Sequence, residues 1–449
     1  MKDKTHLIPE GWKEMTLGET VNIIDGDRGS NYPKNNELLS NGFCLFLSTK
    51  NVPNTSFCFD EVKFINEKVH SKLRKGKLEK NDFVLTTRGT IGNFAYFSEN
   101  TPYDHIRINS GMVVLRAKKE LLENGFLEFF LKSGFFRKQV YSFSSGTAQP
   151  QLPIKDLRYI KMLLPPLPEQ KAIAEVLSSF DNKIELLREQ NKTLEAIAQT
   201  IFNEWFVHFN FPDENGKPYQ ASGGKMIDSE LGSIPEGWRV GSFGEFVQDI
   251  IPGDWGQQNI NSEYSQKVIC LRGTDLSDIK NGSNLRAPLR YLKKNKLIAS
   301  KIKEGDLIIE ISGGTIGQST GRIAYYNQEI EKRLKNDAVS SNFCKVLRLN
   351  NPLIYPFIFF YWEYFYNIGL FFNYENGTTG IQNLNLKGFL EHKIFLPEER
   401  NLMCFSFLSN RIIVKIQKNN TQIQTLSNLC NELLPKLMKG EIRLKGVFL

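Results

Sequence analysis

The chain repeats itself once, nearly end to end, and that duplication constrains its fold more than anything else in it. Ile8-Pro9-Glu10-Gly11-Trp12 returns as Ile234-Pro235-Glu236-Gly237-Trp238. Leu17-Gly18-Glu19 is matched by Phe243-Gly244-Glu245, Leu47 to Val52 by Leu271 to Leu276, and Asn81-Asp82-Phe83 by Gly305-Asp306-Leu307. Gly89-Thr90-Ile91-Gly92 reappears as Gly314-Thr315-Ile316-Gly317, Gly146-Thr147 as Gly377-Thr378, and Leu167-Pro168-Glu169 as Leu396-Pro397-Glu398. The landmarks keep one order at a spacing of about 225 residues, the mark of a tandem duplication. A chain of 449 residues lets both copies bury a core of their own.

Each copy has two parts. The first holds short apolar runs punctuated by Gly, Asn, Asp and Pro, which predict strands: Phe43 to Leu47, Phe83 to Thr86, Met112 to Leu115, Val268 to Leu271 and Leu307 to Ile311. One aromatic-rich helix is expected near the end of each lobe, Leu127 to Tyr141 and Pro356 to Phe372. The second part is a long helix whose apolar residues recur in steps of four and three. One ladder runs Ile173, Leu177, Phe180, Ile184, Leu187, Asn191, Leu194, Ala198, Ile201, Trp205. The other runs Phe405, Ser409, Ile412, Ile416, Asn419, Ile423, Leu426, Cys430, Leu433, Leu437, with Pro435 expected to kink or end it. The two central asparagines lie in different heptad phases, so an antiparallel pairing can oppose Asn191 to Asn419. That register sets Ile184 against Leu426, Leu187 against Ile423, Leu194 against Ile416 and Trp205 against Phe405. Such a rod would be about 45 to 50 Å long, enough to space two lobes for half-sites about one DNA turn apart. The alternative is that each helix packs separately, on its own lobe or on a partner protein.

The remaining chemistry is sparse. Lys and Arg exceed Asp and Glu by 57 to 49, a net +8 that permits a nucleic-acid partner without requiring one. The six cysteines stand singly, as reduced cytosolic thiols do, and the five histidines show no metal-ligand spacing. The opening residues carry no apolar core of a secretory signal, and Tyr355 to Phe372 is too short and polar to cross a bilayer. Asn351-Pro352-Leu353-Ile354 lacks the second proline and aromatic of an adenine methyltransferase loop. Glu61-Val62-Lys63 has nuclease residue types but no twin, and no phosphate-binding glycine loop exists. A catalytic centre is not expected in this chain.

The helix entry Leu163-Leu164-Pro165-Pro166-Leu167-Pro168-Glu169-Gln170-Lys171-Ala172-Ile173-Ala174 resembles that of the specificity subunits of type I restriction-modification systems. The tail Leu433-Leu434-Pro435-Lys436-Leu437-Met438-Lys439-Gly440-Glu441-Ile442, the Ile-Pro-Glu-Gly-Trp openings and the Gly-Thr-Ile-Gly landmarks are similar to theirs as well. The second helix entry, Phe395-Leu396-Pro397-Glu398-Glu399-Arg400, departs from the pattern by lacking the double proline.

The resemblance implies a mixed α/β (α+β) fold with two strand-rich target-recognition domains separated by an antiparallel coiled coil, in a pseudo-two-fold tandem repeat. The expected boundaries are 1–165 and 234–395 for those domains, 166–212 and 396–440 for the spacer helices, 213–233 for a linker and 441–449 for a tail. It further implies that each lobe reads one half of a split, asymmetric double-stranded DNA target while the helices set the gap. The implied partners are two modification (methyltransferase) subunits and restriction subunits. S-adenosylmethionine, ATP and magnesium would be used in those partners, with no cofactor or metal here, in a cytoplasmic complex with no membrane. A protein–protein scaffold, or the specificity partner of a related fused methylase-nuclease system, are the other readings.

DNA contact needs cations for phosphates and forked or amide groups for base edges. Candidates in the first lobe are Arg28, Asn31 and Lys34, then Lys50, the run Lys72, Arg74, Lys75 and Lys77, and Arg88 and Gln149. In the second lobe they are Gln257, Gln258 and Asn259, then Arg272, and the run Lys293, Lys294, Lys296 and Lys301. For any one of them a solvated surface is the more common role; replacing Arg28 or Arg272 should relax one base position by about 1 to 3 kcal/mol if it pairs with guanine.

Overall fold

The computed structural model describes residues 8–144, 150–282, 286–313, 317–377 and 380–444. The chain divides into two compact units, one formed by Met1–Asn182 with Ser427–Leu449 and the other by Lys183–Leu426.

In the first unit, strands Val21–Asp25, Met112–Ala117, Phe83–Thr86 and Phe94–Tyr96 form an antiparallel four-stranded sheet in that order. Beside it, Cys44–Leu47 pairs antiparallel with Phe64–Ile65 and parallel with Ile106–Ile108. Every residue of Cys44–Leu47 and Phe83–Thr86 is buried, which is why these strands read as unbroken apolar runs instead of alternating ones. A third pairing, Lys13–Thr16 with Lys161–Leu164, brings the lobe's first and last strands together.

The second unit builds the same three sheets. Its four-stranded sheet runs Val247–Pro252, Cys344–Leu349, Leu307–Glu310, Ile323–Tyr325, and its three-stranded sheet Leu289–Leu292, Gln266–Leu271, Asp337–Ser340. Arg239–Ser242 pairs with Lys393–Leu396. The repeated words have repeated physics. Asn81 and Gly305 both turn the chain with positive φ, 76° and 84°, a conformation open to Gly and Asn. Each precedes a buried aspartate in a two-pronged ion pair. Arg116 donates Nε and Nη2 to Asp82, both at 2.8 Å, and Arg348 donates the same atoms to Asp306 at 3.1 and 2.7 Å.

Local differences from the sequence expectations have identifiable causes. The helix expected at Leu127 to Tyr141 is two, Asn124–Lys132 and Gly134–Phe143. Ser133 ends one and starts the other: its hydroxyl donates to the Phe130 carbonyl and accepts from the Phe136 amide. The aromatic helix of the second lobe is Tyr355–Asn367, stopped by Gly369 at φ 76° before a short 3-10 turn. Part of the 213–233 linker is ordered as a hairpin, Met226–Ser229 with Gly232–Pro235.

The long helices span Leu167–Phe202 and Glu399–Met438, so Pro435 lies inside the second helix and does not end it. Pro435 is exposed and so is Asn431, whose carbonyl loses its helical donor to the ring and can bond water instead. Burial of Leu437 and Met438 in the first unit's core, with Ile173 and Leu177, holds that last turn.

Within the second unit the helices run antiparallel. Ile184, Leu187, Ile423 and Leu426 form one cluster, and the Trp205 and Phe405 rings lie 6.0 Å apart. Ile416 is buried and Leu194 half-buried. Between them Asn419 Nδ2 donates to Asn191 Oδ1, and Asn191 Nδ2 to Asn420 Oδ1, both at 2.8 Å. The second helix also packs on its own lobe, where Gln417 donates to the Tyr325 hydroxyl and Asn420 to the Lys280 carbonyl. Pairing between helices and packing on the lobe, which the sequence left as alternatives, coexist. No helix among the described residues is long and apolar enough to cross a membrane.

Candidate nucleic-acid interface

Sheet topology gathers several of the candidate residues at one edge of each unit. In the first unit Asp25, Leu47, Thr86 and Ile108 all end their strands there. The Asn109–Gly111 turn ties them together. Its Asn109 amide donates to the Leu47 carbonyl at 3.1 Å, and the Gly111 carbonyl accepts from Thr87 and Arg88 at 2.8 and 3.2 Å. Gly26 lies so close that a Cβ there would stand 2.4 Å from the Asn109 carbonyl oxygen. The second unit repeats this edge: Ser341 donates to Leu271, Asp254 to Ser340 and Ile311 to Phe343.

Loops leaving that edge carry the candidates. Arg28 is exposed, with Nη2 3.3 Å from Asp25 Oδ1, and Asn31 and Lys34 follow it in the same loop. Lys50 is 3.8 Å from Glu61, an ion pair too exposed to hold either side chain. Arg88 is exposed, and its backbone bridges to Gln151. Gln149 lies outside the described residues.

The basic run of the first lobe is fastened to the Asp27–Lys34 loop from below. One carboxylate oxygen of Asp27 accepts the backbone amides of Arg74 and Lys75, the latter at 2.9 Å. Arg107, 5% exposed, donates Nη1 to the Lys75 carbonyl at 2.7 Å and Nη2 to the His70 and Leu73 carbonyls at 3.0 and 2.9 Å. Its Nε also donates to His70 Nδ1 at 3.2 Å. Burial, and then the positive charges of Arg107, Lys77 and His105, push His70 down to about 4, so it remains a neutral acceptor at physiological pH. The side chains of Lys72, Arg74, Lys75 and Lys77 are exposed, and among the described residues none enters an ion pair. Spacing could not reveal Arg107; an arginine between Ile106 and Ile108 in a buried strand was the available signal.

The second lobe's parallel run behaves differently. Lys293 meets the Glu263 carboxylate and lies over the Tyr264 ring, and Lys301 Nζ is 2.6 Å from Asp337. Lys294 and Lys296 remain exposed. Gln257 exchanges backbone hydrogen bonds with Tyr291 at 2.9 Å in both directions, while Gln258 and Asn259 are exposed beside it.

Arg272 is committed internally. It donates Nε to Asp275 Oδ2 at 2.8 Å, and Nη2 to Asp275 Oδ1 and the Arg286 carbonyl at 2.9 and 3.1 Å. An arginine so engaged has little left for a base edge, which counts against its expected role. Among the described residues no group of His, Cys, Asp or Glu could hold a metal ion. Burial pushes the thiols of Cys44, Cys270 and Cys344 up to about 12, as befits inert core residues.

Comparison with known proteins converges on this architecture. Residues 9–196 match the family described as the type I restriction modification DNA specificity domain. The MjaIX specificity subunit of Methanocaldococcus jannaschii is 23% identical over 460 residues, covering 98% of this chain and 95% of its own. The HindI specificity subunit of Haemophilus influenzae is 22% identical over 489 residues, covering 96% and 99%. A crystal structure of a type I restriction-modification S subunit from M. genitalium shares the fold, with a TM-score of 0.57 at 16% identity over 98% of both chains. In its duplicated lobes, its paired long helices and a match that runs the length of its relatives, this chain is similar to the DNA specificity subunits of type I restriction-modification systems.

Proposed function

We propose that each unit reads one half of a bipartite, asymmetric double-stranded DNA target through its loop edge. The long helices set the unread gap and dock two methyltransferase subunits, with restriction subunits joining them. Methylation with S-adenosylmethionine, and cleavage with ATP and magnesium, belong to those partners, and this chain supplies no catalytic group. The observation that carries the reading is the first lobe's basic run. Asp27 and Arg107 hold the segment that carries these four cations through the backbone of His70, Leu73, Arg74 and Lys75, which leaves the cations' charges for phosphates. Because the second lobe neutralises part of its run, the two halves contact DNA unequally.

The test is co-expression with the partner methyltransferase followed by sequencing of modified bases. The expected result is a two-part motif with unlike halves, and DNA affinity that falls steeply with salt. Replacing Lys72, Arg74, Lys75 and Lys77 with Gln should flatten that slope by up to about 0.9 for every phosphate those cations neutralise, while leaving the motif unchanged. Salt-insensitive binding and no motif would instead favour a protein scaffold.

A further inference from the structure

Arg290 sits on the edge strand Leu289–Leu292, opposite Val268. Strand alternation puts its side chain on the face of Leu292, which is buried with Val268, Cys270 and Val339 against Trp255. There the guanidinium lies over the Trp255 ring, with Cζ 4.6 Å from the centroid. Its Nε is buried with no hydrogen-bond partner, and among the described residues no carboxylate pairs with it. Other arginines out of solvent among the described residues spend their donors: buried Arg107 on carbonyls, and half-buried Arg116 on Asp82, Arg322 on Glu310 and Arg348 on Asp306. A cation–π contact holds the guanidinium in place through its charge without spending its N–H groups on an acceptor. An oriented fork lacking acceptors suits a ligand that brings two of them.

The position lies beside a loop that leaves the edge where the candidates gather. Trp255 is in the loop after Pro252, and that loop is held against the strand by the paired hydrogen bonds of Gln257 and Tyr291. It is also where the lobes diverge. In the repeat Leu271 matches Leu47, so Val268 matches Cys44; Cys44 pairs with Ile65 as Val268 pairs with Arg290. The first lobe thus buries Ile65 completely where the second presents a cation.

We infer that Arg290, oriented by Trp255, reads a guanine in the second unit's half-site by donating two N–H groups to the O6 and N7 acceptors of the major-groove edge. The inference rests on the proposed DNA-reading function and names the residue that Arg272, tied to Asp275, does not supply. It is tested on the full chain with its methyltransferase partner by sequencing modified bases for Arg290→Lys, Arg290→Gln, Trp255→Leu and Arg272→Lys.

Arg290→Lys keeps the charge and loses the fork. It should accept other bases at one guanine of one half-site, with discrimination falling about 5- to 150-fold, while the other half-site and the thermal midpoint stay as in the parent chain. Trp255→Leu should relax the same position, and Arg272→Lys should not. An unchanged motif in both Arg290 variants overturns the inference, as does a loss confined to assembly with the methyltransferase, which would make Arg290 a protein contact. A parent chain that directs no two-part motif overturns the functional reading itself, and the role of Arg290 with it.

Discussion

At the residue scale, the duplicated positions show how one sequence word acquires two environments. Trp12 donates Nε1 to Glu169 at 3.0 Å, and Arg443 clamps the same carboxylate with two bonds of 2.7 and 2.8 Å. The twin Trp238 has no such partner for its Nε1 and is packed instead among Phe206, Phe209 and Phe211. Burial works against the Glu169 charge, but the hydrogen bonds from Arg443 and Trp12 outweigh it and hold its carboxyl below the usual carboxylate range. A depressed folded value means this cluster stabilises the fold above the ordinary glutamate pKa of about 4.3 and loses that stabilisation as the pH falls through the lowered value. Replacing Arg443 with Gln should cost stability at the low end of about 3–5 kcal/mol, since a nearly buried carboxylate loses its cation. Glu169→Gln should flatten the fall of the thermal midpoint as the pH drops below the ordinary glutamate value. Parallel melting curves for that variant and the parent chain would refute the assignment.

At the element scale, the asparagines explain why the helices pair in one register. Asn191, Asn419 and Asn420 are nearly buried and exchange hydrogen bonds, with Asn420 also tied to the Lys280 carbonyl. Shifting either helix by a turn would bury these amides without partners, at about 1–3 kcal/mol each. Asn191→Ala should therefore destabilise the chain by about 1–3 kcal/mol in denaturant melts. Asn191→Leu combined with Asn419→Leu should regain stability but loosen the register. Cysteines placed at 191 and 419, with Cys404 and Cys430 removed, should crosslink readily in the parent register; failure to bridge would refute it. The sequence ladder carried the pairing of Asn191 with Asn419 but was silent about Asn420 and Gln417. Their lobe-facing stripe has no apolar period to betray it, and two glutamines or asparagines facing carbonyls look like any solvated helix face.

For the whole molecule, each long helix begins in one unit of the chain and finishes in the other. A spacer built this way cannot be lengthened in one strand alone. Seven residues inserted between Leu187 and Asn191 keep the heptad phase but move one side of the seam a heptad out of register with its partner, which should destabilise the chain. Inserting seven there and seven more between Asn419 and Ile423 restores the register between the helices. On the proposed function, the matched pair should widen the unread gap by about three base pairs, since seven helical residues rise about 10 Å and each base pair about 3.4 Å. Sequencing modified bases after co-expression measures this directly, and an unchanged gap would show that the helices are not the ruler.

The sequence by itself determined the duplication, most strand positions, the absence of a recognisable catalytic motif and the seam asparagines, because each leaves a local mark: a repeated word, an unbroken apolar run, a polar rung in an apolar ladder. Tertiary structure alone decided which cations stay free. Lys72 to Lys77 and Lys293 to Lys301 read alike in one dimension, yet Glu263 and Asp337 reach only the second run. Arg272 and Arg290 likewise differ in ways the sequence did not show, because a carboxylate three residues away captures one while the other lies over a ring from another loop. Charge is written in the sequence, but whether a charge is spent depends on what folding brings within hydrogen-bond reach.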